Sequence, residues 1–242
     1  RQDDGSVGRP LPESETTKSY DIGWRVNHAR TIASVAVYRI DYTNRIVQSF
    51  DPELGFSVDR NVGDVKIQGL DAQLGQRFGD KVDFTLNASY NDSELLDDLP
   101  TGLTTSDQPL AGKVLVETPK WTFGARTDIN ITENLHAGLQ AKKVGKRFTS
   151  DVNDDWVDGY TVVDLDLRYE FKMGGDRNVQ LQFNVNNLLD EEYYGNISPV
   201  VSGIQGQPLL GRDGNPTGVT GLAPFLGIGS PRTAMATIRV NF

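Results

Sequence analysis

Asp151, Asn153 and Asp155 stand at the alternate-residue spacing with which calcium loops present oxygen ligands. The rest of that motif is missing. Trp156 occupies the sixth position, where such a loop needs glycine for its turn, and no glutamate stands at the twelfth. DVNDDWVD therefore reads as a solvated acidic loop, with Trp156 placed to touch a ligand. Nucleophilic chemistry has little to build on. The chain has two histidines, His28 and His136, and no GxSxG stretch to present a serine beside either. It has no cysteine, which excludes both disulfides and thiolate metal sites. No catalytic residue, metal ligand or cofactor is expected, and the chain does not read as an enzyme.

The remaining candidates are charges spaced two apart. Asp164, Asp166 and Arg168 sit within YTVVDLDLRYEF, and Arg126, Asp128, His136 and Lys142 sit in two segments of the same kind. Strict alternation is the period of a β-strand, and a helix would scatter these charges around its circumference. Slipping the register by one would turn four charges onto the apolar side. Such a row can dock another domain or touch a solute; cross-strand pairing with its neighbours is the plainer use.

The elements that carry these residues recur along the chain. Amphipathic runs fall at Thr17–Asn27, Ile32–Tyr42, Val65–Phe78, Val82–Asn91, Lys120–Ile129, Leu135–Lys142, Tyr160–Phe171, Val179–Val185 and Ala234–Phe242. Their connections alternate between short and long, and no helix of useful length appears. About nine strands of about ten residues, with short turns at one end and long loops at the other, predict an all-β, antiparallel transmembrane barrel rather than a soluble sandwich. Tyr20, Tyr38, Tyr42, Tyr90 and Trp121 are expected at the long-loop rim. Phe78, Phe84, Tyr169, Phe171 and Phe242 are expected at the short-turn rim, as two aromatic girdles.

Composition fits. The 242 residues carry a net charge of −9 and a pI near 4.7, which argues against nucleic acid or an anionic membrane surface as a partner. No run of about 18 apolar residues is available for a spanning helix. A mean hydropathy of −0.41 is normal for strands that face lipid with alternate residues only. An odd strand count, and an opening stretch RQDDGSVGRPLPESE that reads as a loop, predict the back part of a larger barrel. Alone it would be an open sheet with two unpaired edges.

Five segments carry a family likeness. They are TKSYDIGWR; VAVYRIDYTNRI, with Tyr38, Tyr42, Asn44, Arg45 and Ile46; DVKIQGLDAQLGQRF, with Gly69-Leu70-Asp71; FNVNNLLDEEYY, with Asn187 to Tyr193; and SPRTAMATIRVNF. In this order they resemble the C-terminal part of the β-barrel of a TonB-dependent outer-membrane receptor. The resemblance implies a barrel of 22 strands, of which residues 1–242 would supply about the last nine. Short turns would be periplasmic and long loops extracellular. The N-terminal plug domain and the TonB-contacting segment would lie outside the chain. It also implies import of a scarce solute, most often a ferric siderophore, by the complete protein and not by the fragment alone; a passive porin-like barrel is the alternative.

On that reading Arg126, Asp128, His136, Lys142, Asp164, Asp166 and Arg168 face the lumen and the plug. Trp156, Tyr193, Tyr194 and Phe225 lie in loops that would meet the ligand. Phe242 resembles the terminal aromatic recognised by the barrel-assembly machinery, although Thr237 stands where that signal prefers glycine. Lipid of the outer membrane, the plug, TonB, the assembly machinery and the solute are the implied partners.

Overall fold

The computed structural model describes residues 12–51, 56–61, 63–99, 106–174 and 178–241. Phe242 and the opening stretch through residue 11 lie outside the described residues. Nine strands form one antiparallel sheet in chain order. They are β1 (Thr16–His28), β2 (Thr31–Thr43), β3 (Val65–Phe78), β4 (Val82–Leu95), β5 (Trp121–Asn130), β6 (Leu135–Val144), β7 (Tyr160–Lys172), β8 (Asn178–Asn186) and β9 (Thr233–Asn241). All nine fall where alternation places them, and no helix occurs among the described residues.

The pairing keeps one parity from edge to edge. Leu139, Leu165, Val185 and Ala234 form one row, while Gly138, Asp166, Asn184 and Met235 form the next. Because side chains alternate across a strand, these rows face opposite sides of the sheet. One side is an apolar band open to the surroundings, with Ile22 74%, Trp24 61% and Ile238 71% exposed. A contiguous band of this kind needs a nonaqueous contact, which a bilayer supplies. The opposite side is polar and concave. Inward-facing residues of β2 to β6, including Ser34, Asp71, Asn87 and Gln140, line a hollow of about 620 Å³.

The short connections are tight. β1 turns into β2 through Ala29 and Arg30, with Ala29 at φ 48°, and Gly79 turns β3 into β4 at φ 60°. Either angle lies in the left-handed region, which only glycine adopts without strain. The aromatic rim is tied by contacts between neighbours: Trp121 lies 4.7 Å from Tyr90 and stacks on Phe123 at 5.6 Å.

Two expectations are corrected. Tyr38 and Tyr42 are near the long-loop rim but face inward, because their partners are Gly69 and Val65, in the row system of Asp71. The outward residues of β2 are Ala33, Val35 and Val37, opposite Leu74, Ala72 and Leu70. A run of Ala, Val and Tyr on both parities hides its own facing; only the partner strand decides it. Gly69 makes the inward choice possible, since a Cβ there would fall on the Tyr38 ring. The long connections are also more ordered than expected. Ile46–Asp51 pairs with Phe56–Asn61, Tyr194–Ser198 with Phe225–Ile228, and Pro208–Leu210 with Pro216–Thr220.

The apolar core lies at the long-loop end. Val65, Leu95, Leu110 and Val152 are buried together, with Leu99, Leu115 and Leu209 packed on them. Residues from three separate connections thus close over the top of the wall.

Candidate functional site

On the inner wall the charged residues separate into distinct groups. Arg126 and Asp128 are two apart on β5, so both face inward. Gly138 on β6 is the row partner of both Asp128 and Asp166. Having no side chain, it lets the Arg126 guanidinium reach across β6. Arg126 holds Asp128 (Nε to Oδ2, 2.9 Å) and Asp166 on β7 (3.1 Å). A Cβ at position 138 would fall on the Asp166 carboxylate and the Arg126 guanidinium. One cation between two carboxylates leaves this patch net negative, and such half-exposed pairs contribute about 1 kcal/mol or less each to stability.

The other inward candidates are not part of it. His136 donates from Nδ1 to Asn130 Oδ1 at 2.6 Å. Arg168 pairs with Glu170 at 3.2 Å. Lys142 lies opposite Gly124 and Val162 and makes no ion pair among the described residues. Asp164 is engaged by the chain itself, accepting the Asn187 N–H at 2.8 Å.

That last contact opens onto the mouth. Asn187 is fully buried at φ 51°. Its Nδ2 donates to Glu191 O at 2.9 Å and Ser230 O at 3.1 Å, and its Oδ1 accepts the Glu191 N–H at 2.8 Å. Three residues after Asn187 and two after Ser230, Asp190 Oδ1 accepts the Arg232 N–H at 3.0 Å. Both ends of the longest connection are thereby held together at the top of β8 and β9. Tyr193 stacks on Tyr160 of β7 at 4.2 Å, and a Cβ on Gly229 would fall on the Tyr193 ring. Tyr193 therefore serves packing, whereas Tyr194 is exposed and Phe225 is 77% exposed, on the two strands of one small ladder.

The body of this connection is clasped to its neighbours by carboxylates. Arg212 bonds Asp98 at 2.7 Å and Ala111 O at 2.6 Å. Glu117 Oε1 accepts the Ile197 N–H at 3.1 Å. Asp154 accepts Ser150 Oγ and Ser202 Oγ, both at 2.6 Å, and the Gly203 N–H at 2.9 Å. The Arg212 guanidinium holds the Asp98 carboxyl below its ordinary range. Burial pushes Asp154 up, but the hydrogen bonds from Ser150, Ser202 and Gly203 outweigh it and leave it lowered.

The acidic stretch itself is not a solvated loop, as its composition suggested. Thr149 and Ser150 are fully buried, and Val152 and Val157 are buried beside them. Asn153 exchanges two hydrogen bonds with Val114, at 2.7 and 2.9 Å, and Asp155 accepts Thr149 Oγ1 at 2.7 Å. These side chains staple loops together, and no group of three or more metal-ligating residues occurs among the described residues. Trp156 is exposed, with Lys146 Nζ 3.7 Å from its ring centroid. Arg147, 7% exposed, donates to Tyr194 O and lies over the Tyr160 ring at 5.5 Å.

Asp151 opposes the other carboxylates. Its backbone N–H donates to Val200 O at 2.9 Å, but burial pushes its carboxyl up to about 6, against the pull of Arg45. A carboxyl raised above its unfolded value favours the folded loop while protonated, and this contribution is lost as pH rises from the ordinary carboxylate range to about 6. Asp151→Asn is therefore expected to slow amide exchange at Val152 by about a hundredfold at pH 7, each of the roughly two pKa units being a factor of ten, and to change little at pH 4. Equal exchange in both proteins at pH 7 would refute the strained carboxylate.

Asn187, Asp98, Glu117, Arg147, Asp154 and Arg212 were not singled out by their sequence context. Only Asn187 carried a local signal, as the first residue of the Asn187–Tyr193 motif; the partners of the others lie in distant loops.

The family model for the TonB-dependent receptor-like β-barrel matches residues 3–188. The probable TonB-dependent siderophore receptor PiuA of Acinetobacter baumannii is 27% identical over 194 residues, covering 78% of this chain and 25% of that protein. The ferrichrome outer membrane transporter/phage receptor of Escherichia coli K12 is 26% identical over 197 residues, covering 78% of this chain and 24% of the relative. Among solved structures, the siderophore receptor PiuA from Acinetobacter baumannii superposes with a TM-score of 0.66 at 22% identity, over 93% of this chain and 28% of that one. The ferric yersiniabactin uptake receptor FyuA from Yersinia pestis gives 0.68 at 17% identity, over 94% and 30%. The structural likeness carries the fold, and the chain spans about a quarter of the length of the curated relatives it matches. With a family match over most of its length and a nine-stranded wall of the matching architecture, the chain belongs to the TonB-dependent receptor-like β-barrel family.

Proposed function

We propose that residues 1–242 are one portion of the barrel domain of an outer-membrane receptor that imports a ferric siderophore with energy passed through TonB. The observation that carries this reading is the family match to a wall that is apolar outside, polar inside and covered at one end by interlocked loops. The relatives it matches are transport receptors rather than enzymes. On this reading the short turns are periplasmic and the loop-covered mouth is extracellular. The concave wall around Arg126, Asp128, Asp166 and Lys142 faces the plug, Trp156, Tyr194 and Phe225 meet the solute, and Phe242 signals to the assembly machinery. The nine strands alone transport nothing, because β1 and β9 each leave an edge unpaired.

The test is uptake of radiolabelled ferric siderophores in the parent bacterium. Deleting the complete gene is expected to abolish accumulation of at least one siderophore, and restoring it to rescue accumulation only when TonB is present. Rescue that is independent of TonB would assign a passive porin-like barrel instead.

A further inference from the structure

The carboxylates that clasp the mouth are engaged, and two cations beside them are not. Asp98 is held by Arg212, Glu117 by the Ile197 N–H, Asp154 by Ser150, Ser202 and Gly203, and Asp155 by Thr149. Lys146 and Arg147 follow the end of β6 and make no ion pair among the described residues. Each sits on aromatic rings instead. A ring face attracts a cation but carries no net charge, so both keep their positive charge for another partner.

The two cations lie on opposite faces of one short ladder, in which Phe148 stands opposite Trp156 and Arg147 opposite Val157. Side chains alternate across a strand, so Lys146 has the parity of Phe148. Its Nζ is 3.7 Å from the Trp156 ring centroid and 4.9 Å from that of Phe148, and both Lys146 and Trp156 are exposed. On the other face Arg147 and Val157 are buried. Arg147 lies over the ring of Tyr160, which shares the inward row of Val144 and stacks on Tyr193. The Lys146 face therefore looks away from that ring.

Arg147 is the costlier cation. Its Nη2 donates to Tyr194 O, while its Nε is buried with no acceptor. A guanidinium withdrawn from water without a carboxylate, and with one donor unmet, destabilises the loop that holds it. Packing alone would be served by an apolar side chain of similar length. In a chain of net charge −9, a fixed positive charge beneath an exposed lysine attracts an anion that the rest of the molecule repels. The rings narrow the choice of anion. Phosphate or sulfate gains nothing from Trp156 and Phe148, whereas an anion built of flat aryl groups gains stacking as well as charge.

We propose that Lys146, Phe148 and Trp156, with Arg147 beneath them, receive a polyanionic ferric chelate whose iron ligands are aryl oxyanions, the catecholate class, in preference to a neutral chelate. Lys146 turns from its rings to an oxyanion, and an aryl group of the chelate stacks on Trp156. Arg147 stays closed to solvent and contributes its field without contact. This inference rests on the proposed import of a ferric siderophore and names the chemical class of that solute.

The complete receptor, purified in a neutral detergent, is titrated with three complexes carrying radioiron. They are a trianionic ferric triscatecholate, ferric citrate as an anion without rings, and a neutral ferric trihydroxamate. The triscatecholate is expected to bind more tightly than either of the others by at least about tenfold, one charge-assisted hydrogen bond or more. Its affinity should fall as salt is raised, and that of the trihydroxamate should not. Lys146→Gln should reduce the preference over the trihydroxamate about tenfold, and Lys146→Arg should keep it. Trp156→Ala should weaken the triscatecholate about fivefold more than it weakens ferric citrate. Equal or tighter binding of the trihydroxamate overturns this inference and leaves import of a ferric siderophore standing. So does a preference that survives Lys146→Gln in a receptor of folded mobility. Ferric citrate bound as tightly as the triscatecholate also overturns it, because the rings would then play no part. A receptor that binds none of the three overturns the ferric-siderophore reading, and this inference with it.

Discussion

Replacing Asn187 by alanine is expected to free the connection between β8 and β9 while leaving the wall intact. The carboxamide satisfies Glu191 O, Ser230 O and the Glu191 N–H, all in a site closed to water. Leaving buried polar groups unpaired costs about 1–3 kcal/mol each. Alanine at φ 51° adds about 1 kcal/mol of backbone strain. Some of the orphaned groups will reach water once the segment opens, so a net loss of about 4 kcal/mol is expected for the closed arrangement, or opening about a thousandfold more frequent. Amide exchange reads this directly at Glu191, whose N–H loses its acceptor, and at Gly229, which donates to Tyr193 O at 2.7 Å. Asn187→Gly tolerates the backbone angle but not the lost hydrogen bonds, so it should recover only the strain. If alanine and wild type exchange alike at Glu191, the clamp does not hold the connection.

The second large effect concerns facing. Leu165 lies between Leu139 and Val185 on the outward side of β7, and Asp166 lies between Gly138 and Asn184 on the inward side. Leu165→Arg places a guanidinium against acyl chains, at a cost of about 2–4 kcal/mol near the midplane. In the complete protein, folded outer-membrane levels, read by heat-modifiable mobility, are expected to fall to about a tenth or less. Asp166→Ala removes one of the two carboxylates around Arg126 and leaves the Asp128 pair at 2.9 Å, so levels should stay within about twofold. Comparable levels for the two variants would refute the facing of the entire sheet, because one parity runs through every strand.

That shared parity explains why so much of the wall could be read from the chain. From Val163 onward in β7 the charges and the large apolar residues never share a parity, so strand, facing and register follow from about ten residues. In β2 both parities are apolar over much of the length, and the side of Tyr38 is fixed only by Gly69 opposite it, in the same parity as Asp71 opposite Ala36. The inner wall was legible as a list of charges but not as groups. That Arg126 meets Asp166 depends on Gly138 in the strand between them, a residue with no chemistry of its own. The mouth was least legible. Asp98 meets Arg212 across 114 positions and Ser202 meets Asp154 across 48, and no local pattern encodes such partners. Acidic loops read as solvated because composition reports polarity, while Thr149 and Ser150 direct theirs at the Asp155 and Asp154 carboxylates and Asn153 at neighbouring backbone.

The clamp at Asn187 also bears on how such a protein can diversify. The wall holds this connection at a short base, in which Asn187 and Asp190 face Ser230 and Arg232 and Tyr193 stacks on Tyr160. Chain closure grows only slowly more costly with length, by about 0.6 kcal/mol per doubling. Segments inserted or exchanged between Glu191 and Ser230 thus leave the strands on either side in register. The connection is in effect a cassette on a fixed socket, able to change size between the points where Ile197, Ser202 and Arg212 clasp its neighbours while the barrel beneath it stays the same.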